Sequence, residues 1–226
     1  MKDDIISYRK MCDIENVQTL QRGMNFRLNP NYSVILMSQR KNAPYTDQII
    51  EDELKIIYEG HDIPKTKDID NPKKYDQPLK TKTGKLTENG KFVESVNNYK
   101  KGKMPERIRV YEKIFPGVWS YRGLFNLIDY QHIISEDRKV FRFELKLTEH
   151  EIDETILLKQ RSRIIPTEVK MEVWKRDGGK CVICKATDEL HFDHDIPYSK
   201  GGSSITVENV KILCARHNLS KSDKIE

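Results

Sequence analysis

The apolar positions of this chain follow two regimes. Up to about residue 147 they come in short blocks set apart by turn residues. Tyr32-Ser-Val-Ile-Leu-Met-Ser38 is an apolar run bounded by Asn29-Pro30-Asn31, which predicts a buried strand. Leu54-Lys-Ile-Ile-Tyr58, closed by Glu59-Gly60, predicts another. Arg107-Ile-Arg-Val-Tyr111 alternates, while Val118-Trp-Ser-Tyr121 and Leu124-Phe-Asn-Leu-Ile128 predict two further short strands. The clearest alternation covers 140–147, with Phe141, Phe143, Leu145 and Leu147 on one face and Arg142, Glu144 and Lys146 on the other. Residues 3–23 suggest a short helical lead-in ending near Gly23, and 91–99 a helix. Asn71-Pro72, Thr83-Gly84 and Asn89-Gly90 mark turns. Several short strands between turns indicate a β-sandwich or barrel for the first two-thirds of the chain.

From residue 148 to 163 the pattern turns charged and helix-favouring, as expected of a connector. Beyond it, Pro166-Thr-Glu-Val-Lys-Met-Glu-Val-Trp-Lys-Arg176 places Val169 and Val173 four apart with Trp174 beside them. That spacing predicts a short amphipathic helix, stopped by Asp177-Gly-Gly. The expected organisation is therefore α+β: a β-rich module over 1–147, a linker over 148–165 and a small module over 166–226. A chain of 226 residues is long enough for such a division.

Composition narrows the functional classes. No stretch approaches the ~20 apolar residues of a spanning helix. The opening Met1-Lys-Asp-Asp-Ile-Ile-Ser lacks the apolar segment of a signal peptide. Four cysteines are too few for a disulfide scaffold at this length, so a cytoplasmic protein with no membrane partner is expected. Net charge is only +5, a weak pointer to a polyanion. Its local distribution is more informative, because nine lysines from Lys73 to Lys103 face three acids, a net of +6.

Three of the four cysteines lie C-terminal to residue 180. Cys181-Val-Ile-Cys184 and Cys214-Ala-Arg-His217 are two knuckle-like pairs. Together they offer the four soft or borderline ligands that Zn²⁺ takes in a tetrahedron. Protein fills every position, so such a zinc would be structural. A redox Cys-x-x-Cys would need a βαβ surround that is missing here. Cys12, remote from the knuckles, reads as a small core residue.

Between and after the knuckles lie His191-Phe-Asp193-His194-Asp195-Ile-Pro197, Lys200-Gly-Gly202, Glu208-Asn209-Val210 and Asn218-Leu-Ser-Lys-Ser-Asp223. This order over residues 169–226 resembles the HNH nuclease family, whose fold is a zinc-stapled ββα-metal unit. The resemblance implies His194 as general base, Asp193 and Asn218 as ligands of a catalytic Mg²⁺ or Mn²⁺, and Asn209 as the residue that ties the loop carrying the base to the helix. Lys200 or Arg216 would contact phosphate. Asn218 stands where the last histidine of the motif name falls, and His217 fills a zinc position more often held by cysteine. His217 as a ligand of the catalytic metal is the alternative to that assignment. The chemistry is coherent by itself: imidazole takes a proton near neutral pH, and a carboxylate with an amide oxygen suits a hard divalent cation.

The β-rich region is similar to the SRA (YDG) domain, a curved β-barrel that flips modified cytosine out of duplex DNA. The similarity rests on Val34-Ile-Leu-Met-Ser38, Tyr45-Thr-Asp47, Ile57-Tyr-Glu-Gly60, Asp76-Gln77, Arg107-Ile-Arg-Val110, Tyr121-Arg-Gly123-Leu-Phe125, Tyr130 and Phe141-Arg-Phe143. Tyr121-Arg-Gly123 would be the counterpart of the Tyr-Asp-Gly signature. By position, Tyr45 and Tyr58 would be the stacking rings and Asp47 the carboxylate that accepts from the base. Glu59-Gly60-His61-Asp62 departs from the glycine-rich loop usual after the second tyrosine. The two resemblances together imply a modification-dependent restriction endonuclease acting on double-stranded DNA with 5-methyl- or 5-hydroxymethylcytosine. Cutting of both strands would call for a homodimer. A non-catalytic binder of modified DNA, or an HNH endonuclease reading unmodified sequence, are the alternatives the residues leave open.

Overall fold

The computed structural model describes residues 5–50, 54–148, 165–196 and 202–221. In chain order its elements are β1 (Ile5–Ser7), α1 (Tyr8–Ile14), β2 (Met24–Asn29), β3 (Tyr32–Met37), β4 (Gln48–Ile50), β5 (Lys55–Glu59), α2 (Glu88–Lys100), β6 (Glu106–Phe115), β7 (Val118–Ser135) and β8 (Arg138–Leu147). They are followed by α3 (Thr167–Asp177), β9 (Leu190–His194), β10 (Val210–Cys214) and α4 (Ala215–Lys221). The eight strands among the first ten elements build one sheet with order β2-β3-β6-β7-β8-β5-β4, and β1 pairs with β7 off that path. Among the described residues only the β3–β6 pairing is parallel. The two ends of the path, β2 and β4, do not pair with each other, so among the described residues the sheet is open rather than a closed barrel.

Two expected short strands merge into the single strand β7. Its first half pairs with β6 and its second with β8, and bulges between Val110 and Tyr111 and between Leu127 and Asp129 let it bend while it continues. The expected lead-in helix is shorter than 3–23. Ile5-Ile-Ser7 pairs with β7 instead, and the Ser7 hydroxyl then caps α1 by accepting from Lys10 N–H. Asn89-Gly90 is not a turn but the first turn of α2. The Thr87 hydroxyl caps that helix, Asn89 is spent on the His61 backbone, and a Cβ at Gly90 would stand 2.2 Å from the Leu79 carbonyl oxygen.

The main core lies between the sheet and α2. Phe92 meets Phe26 and Phe143 edge-on, each at 5.6 Å, and Phe143, Leu145 and Leu147 are buried as their alternation requires. Full burial of each such side chain contributes about 1.5–3 kcal/mol. A second cluster joins α3, β9 and β10 through Val169, Val173, Leu190, Phe192, Val210 and Ile212, and Ile5 of β1 packs against it. α3 ends as expected, with Gly178 in the left-handed region at φ 66°. The expected linker falls almost wholly on 149–164, outside the described residues.

Candidate active site and base pocket

The zinc quartet assembles as the spacing implies. Cys181 and Cys184 lie on a tight turn after α3, where Lys185 N–H donates to the Cys181 carbonyl and Cys181 N–H to that of Ala186. Cys214 closes β10, and His217 sits in the first turn of α4. Their ligand atoms all lie within 4.8 Å of one another. Cys184 Sγ is 3.7 Å from Cys214 Sγ, and His217 Nδ1 is 3.5 Å from Cys181 Sγ and 3.2 Å from Cys214 Sγ. A tetrahedron with Zn–S of about 2.3 Å and Zn–N of about 2.0–2.1 Å has edges of roughly 3.8 and 3.6 Å, so the quartet fits zinc. Burial resists ionisation of the Cys181 thiol. Hydrogen bonds from the backbone at Cys184, Cys214 and Ile183 outweigh it and bring the thiol down to about 6, the thiolate form a metal requires. His217 belongs to this quartet by position.

β9 carries the candidate catalytic residues and pairs with β10 in the register His194 with Val210 and Asp193 with Lys211. His194 Nε2 is 2.8 Å from Ser204 Oγ, a buried hydroxyl. The Asn209 amide bonds to the chain that follows β9. Its Oδ1 accepts from Ile196 N–H at 2.8 Å, and its Nδ2 donates to the carbonyls of Ile196 (3.1 Å) and Ser203 (2.8 Å). Asp195 N–H reaches back to the Asn209 carbonyl at 2.7 Å. Gly202 makes this closure possible, since a Cβ there would lie 1.8 Å from the Ile196 carbonyl oxygen.

Asp193 meets a residue that sequence reasoning missed. Lys221 Nζ is 2.6 Å from Asp193 Oδ2 and also donates to the His194 carbonyl, with its own side chain 1% exposed. A positive centre on this carboxylate is what a divalent cation would supply, and the oxygen donors of Asp193 and Asn218 are chemically suited to one. Asn218 lies one helical turn before Lys221, on the same side of α4. The i, i+3 spacing was the legible signal for the lysine. Asn218 and His191 line a cleft of about 750 Å³ whose far wall is Ile5, Ser7 and Lys10 of the first module. Arg216 is exposed, and Lys200 lies outside the described residues.

In the β-rich region, Tyr45, Asp47 and Tyr58 line one cavity of about 420 Å³, together with Gly23, Ser38, Arg40 and Trp119. Asp47 is 8% exposed, and its two oxygens accept from Ser38 N–H and Glu59 N–H, each at 3.1 Å. Burial is the largest influence on its carboxyl, raising it to about 7. Tyr58 is packed into the main core at the end of β5, and burial first, then the Asp47 carboxylate, holds its hydroxyl well above the ordinary phenol range. Its Oη would be 2.6 Å from a Cβ at Gly23, so the missing side chain there keeps the wall open. The Tyr45 ring stacks on His61 at 6.4 Å and carries the Lys73 ammonium 4.0 Å from its centroid. Behind it, Glu59 and Asp62 converge on Arg138. Of the nine lysines between 73 and 103, Lys73, Lys91 and Lys100 pair with Asp62, Glu88 and Asp129. Lys74, Lys80, Lys82, Lys85, Lys101 and Lys103 lie exposed.

The zinc quartet, the Asp193–His194 strand and the Asn209 brace fall in one short segment with a relative. Residues 181–224 match the HNH endonuclease family. No curated protein matches the chain. Among solved structures, an SRA domain of SUVH5 with hemi-methylated CG DNA is similar at 20% identity, covering 63% of this chain and 85% of that one, with a TM-score of 0.43. The SUVH5 SRA domain bound to fully hydroxymethylated CG DNA is similar at 19% identity over 63% and 85%, with a TM-score of 0.44. SUVH6 of Arabidopsis thaliana is 16% identical over 65% of this chain and 24% of that one, with a TM-score of 0.40. No helix among the described residues is long and apolar enough to cross a membrane.

Proposed function

We propose that this chain is a modification-dependent DNA endonuclease of the cytoplasm, with a reader over 1–147 and an HNH nuclease over 166–226. The match of residues 181–224 to HNH endonucleases carries the reading. The reader half is supported by the convergence of Tyr45, Asp47 and Tyr58 on one cavity.

In the nuclease, Asp193 and Asn218 would hold Mg²⁺ or Mn²⁺, which supplies positive charge against that growing on the scissile phosphate. His194 takes the proton of the attacking water, with Ser204 on its Nε2 fixing the ring. Asn209 holds the chain after His194 in place, and Cys181, Cys184, Cys214 and His217 hold a structural zinc. In the reader, a 5-methyl- or 5-hydroxymethylcytosine is flipped between Tyr45 and Tyr58, and its exocyclic amine donates to Asp47. Extrusion costs a few kcal/mol, and base–aromatic stacking returns about 1–3 kcal/mol. The exposed lysines of 74–103 contact the DNA backbone. Cutting of both strands takes two nuclease modules, hence a homodimer.

The test is digestion of methylated, hydroxymethylated and unmodified plasmid with Mg²⁺. Preference for modified plasmid, lost in Tyr45→Ala, supports the reader. Equal cutting of all three removes it. A His194→Ala protein that still nicks removes the assigned base.

A further inference from the structure

Arg122 stands at the centre of the signature-like Tyr121-Arg-Gly123, where the resemblance leads to an aspartate. The structure gives this departure a use. Val110 pairs with Gly123 and Tyr111 with Tyr121, so Arg122 is the extra residue of a β-bulge on β7, and Gly123 beside it has φ 120°. A bulge re-aims the side chain it carries. Here Arg122 is 2% exposed, and its guanidinium lies against the fully buried Glu112 of β6. Nε donates to Glu112 Oε2 at 2.6 Å, and Nη2 is 2.5 Å from the same oxygen.

The pair does not close on itself. The hydroxyl of Thr167, the first residue of α3, donates to Glu112 Oε1 and stands 3.4 Å from Arg122 Nη2 and 3.1 Å from Gln39 Oε1. One turn further along α3, the fully buried Lys170 donates to Ser120 Oγ of β7 at 3.3 Å. Its ammonium also lies 5.9 Å from the centre of Phe192, the neighbour of Asp193 on β9. Charged groups of both modules therefore meet in a buried seam that reaches from the sheet to the strand bearing the candidate base.

Such a seam is a poor source of net stability, because desolvation offsets most of the attraction between buried charges. It is a good source of geometry. Apolar contacts such as Ile5 against the second cluster tolerate sliding, whereas directional hydrogen bonds to a buried carboxylate are satisfied in one arrangement. We propose that the Glu112–Arg122 pair engaged by Thr167, together with the Lys170–Ser120 hydrogen bond beside it, is a positioning lock. It holds the nuclease module in one placement on the reader sheet, and so fixes the spacing between recognised base and cut phosphodiester. The second half of this proposal rests on the reader–nuclease function above.

The test uses the full chain with Thr167→Val and Lys170→Met combined, which leaves the Glu112–Arg122 pair intact. Thr167→Ser with native Lys170 is the rescue, and Lys175→Ala, exposed on the same helix, is the control. Spin labels at the exposed positions Asp137 and Lys180 report the distance distribution between modules. Cut positions are mapped on an end-labelled duplex with one modified cytosine. The native protein and both controls should give one narrow distance and one main cut position. The double variant should give a distribution about two-fold broader and cuts spread over neighbouring phosphodiesters. Equal widths in native and double variant overturn the lock, as does a broadened distance with an unchanged cut map. A protein that cuts every duplex alike, or none, overturns the reader–nuclease function, and the distance widths still decide the lock.

Discussion

Asn209 gives the sharpest quantitative handle on the nuclease module. It is 9% exposed, and its amide makes three hydrogen bonds, to Ile196 N–H, Ile196 O and Ser203 O. Each such bond contributes about 0.5–1.5 kcal/mol net, so Asn209→Ala should cost this loop about 2–4 kcal/mol, with the Ile196 N–H left without this acceptor. Where the loop must be closed for His194 to act, that loss converts at about 1.36 kcal/mol per tenfold into a rate lower by roughly 10²-fold. Asn209→Asp keeps the acceptor for Ile196 N–H and loses both donated bonds, so its rate should fall between. The assay is single-turnover nicking at saturating DNA and metal, paired with hydrogen exchange at the Ile196 amide. A variant within two-fold of the native rate would refute the bracing role. So would a variant slowed with no faster exchange at Ile196.

Three further outcomes are expected. Cys184→Ser, or a strong chelator, should release zinc and melt β9, β10 and α4, because zinc in such sites contributes about 10–16 kcal/mol; a metal-indicator dye and near-ultraviolet circular dichroism follow the two events. Asp47, held at about 7 against an ordinary 3.8, keeps a proton that the unfolded chain releases. Its contribution to stability is therefore full below about pH 4 and is lost as pH rises through about 7, on the order of 2–4 kcal/mol. Urea unfolding at about pH 5 and about pH 8 should show that drop, and Asp47→Asn should flatten it. Gly23→Ala puts a Cβ 2.6 Å from Tyr58 Oη, so it should reduce affinity for modified duplex while leaving binding to unmodified duplex unchanged, as read by fluorescence anisotropy.

Much of this was legible in the sequence because some patterns admit one physical answer. Two knuckle pairs can satisfy four soft ligands around one metal, and the quartet is assembled. The alternation of Phe141, Phe143, Leu145 and Leu147 has one buried face, and all four are buried. Other features depend on partners distant along the chain. Asn89-Gly90 carries a turn signal locally, but His61 and Leu79 give both residues a helical place. Strand β7 reads as two pieces because its bulges interrupt the alternation, while β6 and β8 hold it as one. Lys221 takes its place on Asp193 only through the fold of α4 against β9, since the two residues lie 28 apart in the sequence. Arg122 looked like an imperfect signature until α3 supplied Thr167.

The short strand β1 has a bearing on how this chain can be taken apart. Ile5, Ile6 and Ser7 are hydrogen-bonded into the sheet through β7, yet the Ile5 side chain packs on the cluster of α3, β9 and β10. Residues near the start of the chain thus finish the core of its last unit. Separability in sequence is not separability in space. A nuclease fragment beginning at residue 166 would carry an apolar scar where Ile5 belonged, and a partner seeking to dismantle this protein would do best to grasp its N-terminal edge.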